Sequence, residues 1–386
     1  MRFSFVLLYA ATFLILPPIC TSQSKPKTEE ATTAVWHAFE THNIVMIGEI
    51  HGNKQEYEWL TSLIATSEFA DRVDDIVMEF GNSLYQKSVD RYVAGEDVPV
   101  EQVEKAWRNT VGAIGPPSPL LGWIYKVVRE TNLKRHGQHQ MRVLCGDPYI
   151  DWDKVKTRED IAPYLGHRDE WFTQVVKDEV LAKHHRALLI MGWGHFLRGQ
   201  EPTYIEPHLR RAHAKTYLIV FGTNVVGDSG DLDHRFDSWP VPAIVPLADN
   251  WVGELPAMPV VSGGQGGPVT IIRRKGSKRS PETPPVPLKL KDAADALLYL
   301  GARDTLTEVS MTRADLDGTP YGKEVQRRLK IEGFPSDFGT GDERAEALQF
   351  PQPQTSNDSA PPPPPPPLPP PPKNVGARLP PRPPSQ

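Results

Sequence analysis

Short, unbroken apolar runs alternate along the chain with longer stretches whose apolar positions recur at helical spacing. Residues 43–47 form one such run and stop at Gly48, as a strand covered on both faces does. Residues 55–67 follow, with Tyr57, Leu60, Leu63 and Ile64 on one helical stripe. Residues 75–79, 141–145, 187–191 and 216–221 are further strand candidates. Helical spacing runs through 84–93, 100–107, 120–135, 170–184 and 205–214. Strand and helix alternating in this way predict an α/β protein. Its sheet is mostly parallel, flanked by helices on both faces, in a single main domain with an irregular C-terminal elaboration. Beyond Gly222 the pattern loosens into an acidic loop (228–237), a glycine-rich turn (262–267), a basic patch (273–279) and a proline-rich connector (281–287). Residues 295–300 read as one late strand or helix closing the fold, and 321–331 as a surface helix.

The two ends carry different patterns. Arg2 precedes an almost wholly apolar stretch over residues 3–15, Pro17-Pro18 breaks it, and small residues lead up to Ser22. This is the pattern of a secretory signal. It is shorter than the ~20 residues a transmembrane helix needs, so no stable membrane span is expected. The protein is therefore expected to be exported, to the periplasm or beyond the cell. A lipoprotein anchor would use Cys20, but Ile19 replaces the small residue such sites want. With the signal removed, Cys145 is the sole remaining cysteine and no internal disulfide can form. At the other end, 17 of the 40 prolines fall within residues 351–386. Such a tail favours extended polyproline II and has no reason to pack; it suits a spacer or a ligand for a proline-binding module around Leu379–Pro383. The chain thus divides into a signal (1–22), an α/β domain (34–310), an extension (311–350) and a disordered proline-rich tail (351–386).

Among 386 residues, 43 Lys and Arg stand against 48 Asp and Glu, and the net charge of -5 gives no basic face for nucleic acid. Two cysteines make neither a disulfide scaffold nor a thiolate zinc site. No Gly-x-Ser-x-Gly, Walker loop or Gly-x-Gly-x-x-Gly is present, which argues against a serine hydrolase elbow, an NTPase and a Rossmann dehydrogenase.

The carboxyl ends of parallel strands open onto one edge, and ligands bind there. Four apolar runs end in residues capable of chemistry: Gly48-Glu49-Ile50-His51, then Glu79, then Asp147, then Gly192-Trp193-Gly194-His195. Any one of these recurs by chance, since an acid after a strand is often a helix N-cap. Together they predict one pocket. Two imidazoles with carboxylates form a ligand set for a catalytic divalent metal (Mn, Zn, Co or Fe). The same set also serves metal-free acid–base chemistry, with His51 or Glu49 as base on water. Arg198, three residues past His195, could steady an oxyanion or bind a substrate carboxylate or phosphate. Other candidates lack the required pattern. His184-His185 suit a helix C-terminus. Asp228, Asp231 and Asp233, and Asp315-Leu316-Asp317-Gly318, lack a calcium loop's ligands. Cys145 reads as a small buried apolar residue.

The paired Gly48–His51 and Gly192–His195 motifs, with Glu79 between them, resemble the erythromycin-esterase / ChaN / Tiki superfamily, which carries two Gly-x-x-His motifs and an acid on an α/β fold. Gly146-Asp147 is similar to a strand end of its esterase-like members, and residues 295–299 to their closing Asp-Ala-aliphatic-aliphatic-Tyr segment. The likeness spans residues 42–306. It implies a site of Glu49, His51, Glu79 and His195, supported by Asp147 and Arg198. By branch it implies a divalent-metal protease, an esterase using the first histidine as base, or a haem-binding lipoprotein with His51 or His195 toward the haem. The chain departs from the last in its poor lipidation site, and from the esterases in its signal and proline tail. The resulting expectation is an exported, metal-assisted hydrolase of a small-molecule or peptide ester or amide; the alternative is a haem- or metal-ion-binding protein without catalysis.

Overall fold

The computed structural model describes residues 28–111, 117–135, 137–199, 205–222, 236, 239–257, 288–302 and 305–333. The expected signal, the proline tail, the glycine-rich turn, the basic patch, the proline connector and Asp228, Asp231 and Asp233 lie outside them.

The strands are β1 (Glu29–Glu30), β2 (Ile44–Glu49), β3 (Asp75–Asn82), β4 (Arg142–Asp147), β5 (Ala187–Gly192), β6 (Thr216–Phe221), β7 (Ala243–Pro246) and β8 (Ala296–Tyr299). They form one sheet in the order β1-β7-β8-β6-β2-β5-β3-β4. All pairings are parallel except those of β7, which runs against β1 and β8. The predicted α/β class and mostly parallel sheet are what the protein shows. Each apolar run read from the sequence is a strand, and the residues at 295–300 resolve as a strand rather than a helix.

Helices cover both faces: α1 (Ala31–Thr41), α2 (Lys54–Ile64), α3 (Ser67–Ala70), α4 (Gln86–Val93), α5 (Val100–Arg108), α6 (Leu121–Lys134), α7 (Arg158–Leu165), α8 (Arg168–Val175), α9 (Trp193–Phe196) and α10 (Ile205–Arg211). Because side chains alternate along a strand, β2 sends Val45 and Ile47 into one core and Ile44 and Met46 into the other. All four are fully buried, each worth about 1.5–3 kcal/mol. The first core packs α1, α2 and α6; the second packs α8, α9 and α10. The α2 stripe of Tyr57, Leu60, Leu63 and Ile64 is buried as its spacing predicted, and Asn53 caps the helix by accepting from the Glu56 amide at 2.9 Å.

Two segments differ from expectation. The helix read over 170–184 begins earlier, as α8, and then loosens into a π turn (Val176–Val180) and a 3-10 turn (Leu181–Lys183). It ends at His184 with φ 60°, and His185 does not complement the helix end but places Nδ1 2.7 Å from the fully buried Asp75. The helix Pro320–Glu332 is wider than its expected 321–331 and docks on the domain: Arg328 donates to the Arg108 carbonyl and Arg327 to the Trp152 carbonyl, both at 2.8 Å.

Candidate active site

Strand order builds the site. β5 lies between β2 and β3, so Glu49 at the end of β2 and Glu79 on β3 flank the end of β5. Glu49 pairs in register with Gly192, and Met78, just before Glu79, with Ile190. Gly192 carries no side chain into this gap, and a Cβ there would lie 2.9 Å from His51 Cε1 and 3.4 Å from Glu79 Oε2. Glu79 sits in a break of register. Met78 pairs with Cys145 but Asn82 with Asp147, so β3 advances four residues where β4 advances two. Such a bulge re-aims side chains at a sheet edge. Here it lets Glu79 Oε2 accept from the Gly192 amide at 2.8 Å.

Four of the expected residues meet around Glu79. His51 Nδ1 donates to Glu49 Oε1 at 3.0 Å, as two residues on one side of an extended turn allow, and its Nε2 lies 3.8 Å from Glu79 Oε2. His195 Nε2 approaches the other oxygen, Oε1, at 3.5 Å. Glu49 and Glu79 are buried, whereas the His51 side chain is 49% exposed and stands edge-on to the Phe80 ring, 4.8 Å between centroids. The site is thus open to solvent on the imidazole side and closed beneath. Asp147 joins through Arg168, which donates from Nε to Asp147 Oδ1 and from a terminal nitrogen to Glu79 Oε1, both at 2.9 Å.

Arg198 is not brought to this group. It is taken up by Glu206 and Asp295, donating Nε to Glu206 at 2.7 Å and another nitrogen to Asp295 at 2.9 Å. The expectation of an oxyanion or substrate ligand gives way to a structural clamp, because the acids at 206 and 295 use its planar fork. Cys145 is buried, as expected.

Three residues of the site were not legible as such. Tyr57 donates its hydroxyl to Glu49 Oε2 at 2.6 Å. Asp169 Oδ1 lies 2.6 Å from His195 Nδ1. Arg168, beside it, is the bridge just described. Tyr57 falls on the apolar stripe of α2 and reads as core. Arg168-Asp169 open a helix, where an acid reads as dipole compensation.

Burial works against charge here, and the partners decide. Burial pushes Glu79 up, but the charges of His51, His195 and Arg168 outweigh it and hold the carboxyl well below the usual range. Burial disfavours protonation of His195, yet Glu79 and Asp169 raise it to about 10. His51 is raised by Glu79 and Glu49 against the same opposition. Asp147 goes the other way: burial, only partly offset by Arg168, raises it to about 7. Glu56, fully buried beside Glu49, is pushed well up by burial and by that neighbour's charge, and accepts from the Ile50 amide at 3.0 Å. Burial and Glu49 likewise raise Tyr57, which keeps its hydroxyl a donor.

Glu49, His51 and Glu79 each offer a ligand atom within 4.8 Å of the others, and among the described residues no other group of His, Cys, Asp and Glu does so. One imidazole and two carboxylates suit a hard or borderline divalent ion, and two anionic ligands balance its charge. The donor set therefore fits such an ion. No helix among the described residues is long and apolar enough to cross a membrane.

No protein-family profile and no curated protein matches the chain. Among solved structures it is similar to a protein from Bacillus cereus at 12% identity and a TM-score of 0.42, over 74% of this chain and 96% of that one. It is similar to a mutant of the erythromycin esterase EreC in its open conformation at 11% identity and a TM-score of 0.41, over 72% and 94% of the two chains. It is also similar to haem-bound ChaN of Campylobacter jejuni at 9% identity and a TM-score of 0.32, over 50% and 87%.

Proposed function

We propose that this edge of the sheet activates water to hydrolyse an ester or amide, with Glu49, His51 and Glu79 holding a divalent cation. The observation that carries the reading is the convergence of those three donors, two of them buried, around one point that a half-exposed imidazole opens to solvent. A bound divalent ion supplies a water whose pKa is lowered to about 7 and a Lewis acid for the carbonyl oxygen. The chain supplies the rest. Tyr57 anchors Glu49, and Glu49 orients the His51 imidazole through Nδ1. Glu79, kept ionised by its cationic neighbours, shares its two oxygens between the two imidazoles. His195, protonated at neutral pH, stands where it can give a proton from Nε2 to the departing oxygen or nitrogen. The signal-like start of the sequence supports export of this hydrolase, and its substrate class is a small molecule or peptide.

Elemental analysis of the purified protein beside His51→Ala tests the reading. Near-stoichiometric manganese, zinc, cobalt or iron, lost in the variant together with turnover of ester and amide probes, is the expected result. Unchanged turnover in a folded His51→Ala protein would overturn it. The exposed ring of His51 also favours a second reading, haem binding without catalysis. A Soret band on adding haem, abolished by His51→Ala or His195→Ala, would establish that one.

A further inference from the structure

The opening turn of α8 touches the site twice. Arg168, with its side chain 11% exposed, is fixed to Glu79 within β3 and to Asp147 at the end of β4. The next residue, Asp169, places Oδ1 2.6 Å from His195 Nδ1 and gives its backbone carbonyl to the Thr173 hydroxyl at 2.7 Å. An ionised carboxylate only accepts, so at this separation the hydrogen belongs to Nδ1 of the imidazole. The remaining nitrogen, Nε2, is then the one that faces Glu79, at 3.5 Å. Asp169 cannot drift without the turn that carries it, and that turn is tied to two strands through Arg168.

We infer that Asp169 is the positioning residue of the site: it fixes hydrogen on Nδ1 of His195 and thereby points Nε2 of His195 at the reacting group beside Glu49, His51 and Glu79. Its kinetic consequence rests on the hydrolytic reading above, while the pairing itself does not. The carboxylate belongs to neither the apolar pattern nor the Gly-x-x-His motifs, and it acts only through His195.

Histidine-labelled full chain, assigned with His195→Gln, provides the direct test by 15N NMR. In the unaltered protein Nδ1 of His195 should carry a hydrogen whether the ring is charged or neutral, shifted downfield by its short contact to a carboxylate. Asp169→Asn, nearly identical in shape, offers an amide that can donate to Nδ1, so the downfield Nδ1 proton should be lost and the neutral ring should keep its hydrogen on Nε2. The same variant should lower kcat roughly 10²- to 10⁴-fold with little change in KM, the range of acid–base contributions. Asp169→Glu, which keeps the acceptor, should recover part of that loss. Metal content should stay at the wild-type level in both. An unprotonated Nδ1 in the unaltered protein, or wild-type kcat in Asp169→Asn, would overturn the inference. A protonated Nδ1 in a protein that hydrolyses no ester or amide supports the pairing and removes only the hydrolytic reading.

Discussion

Arg168 and Glu79 meet at 2.9 Å with less than an eighth of either side chain exposed, and the same guanidinium holds Asp147. One cation thus joins β3 to the carboxyl end of β4 beside the imidazoles. Removing a partner from a buried ion pair leaves uncompensated charge, which typically costs about 3–5 kcal/mol. Arg168→Met should lose stability of that order, read from the urea midpoint. Adding Asp147→Asn should recover part of it at alkaline pH, where Asp147 would otherwise be forced to ionise beside Glu79. A single variant with the wild-type midpoint would show that the guanidinium is not holding the two strands.

Gly192 leaves little room beside His51. Its φ is ordinary, so the demand on glycine is spatial: a methyl group would press on His51 at 2.9 Å from Cε1 and 3.0 Å from Nε2. His51 is half-exposed and can yield outward, so folding should survive Gly192→Ala. The displaced imidazole should not serve as well, since misplacement by about 1 Å can cost on the order of 10²-fold in rate. We expect kcat/KM to fall by about that factor while the melting temperature changes little. Equal activity in the variant would mean that His51 tolerates displacement and does not act from its observed place.

The longer strands were readable because each is an almost wholly buried run, and the acids and imidazoles at their ends were readable because most of those runs stop at a glycine. That was enough to bring Glu49, His51, Glu79, His195 and Asp147 together. Register was not readable. The bulge that turns Glu79 toward Gly192 depends on how β3 and β4 slide past one another, which no local pattern records. Long-range partners were equally hidden. Arg198 looked available three residues from His195, yet Asp295, nearly a hundred residues on, claims it. Asp169 and His195 are 26 residues apart, and nothing in either neighbourhood marks the pair. β1 and β7 are short and escaped the periodicity altogether.

Tyr57 tests whether the buried foundation of Glu49 matters. Its hydroxyl is the donor to Glu49 Oε2, and the residue is itself fully buried. Hydrogen bonds to charged groups are worth about 1.5–3 kcal/mol. Tyr57→Phe should lower stability by about that amount and should also weaken metal retention, because Glu49 loses the contact that orients it. Calorimetry and elemental analysis of the same preparation check both. Loss of stability with full metal retention would restrict Tyr57 to a structural role.

His195 gives the fold a characteristic pH profile in chelator-treated protein. Its folded value, about 10, exceeds the ordinary 6.5, so the folded state holds the proton more tightly than the unfolded chain. Stability from this group is therefore complete below about pH 6.5 and lost as pH rises from there through about 10. His51, also raised, adds to the start of the same descent. Asp147 and Glu332, each raised to about 7 chiefly by burial, likewise bind protons more tightly when folded, but their losses fall between their ordinary carboxylate values and about pH 7. The two windows separate the groups. His195→Gln should flatten the stability curve between pH 7 and 10 and leave its slope below pH 7 in place, as followed by urea midpoints across the range. A wild-type curve that is level, or that rises, between pH 7 and 10 would mean that Glu79 and Asp169 do not hold His195 in its charged form.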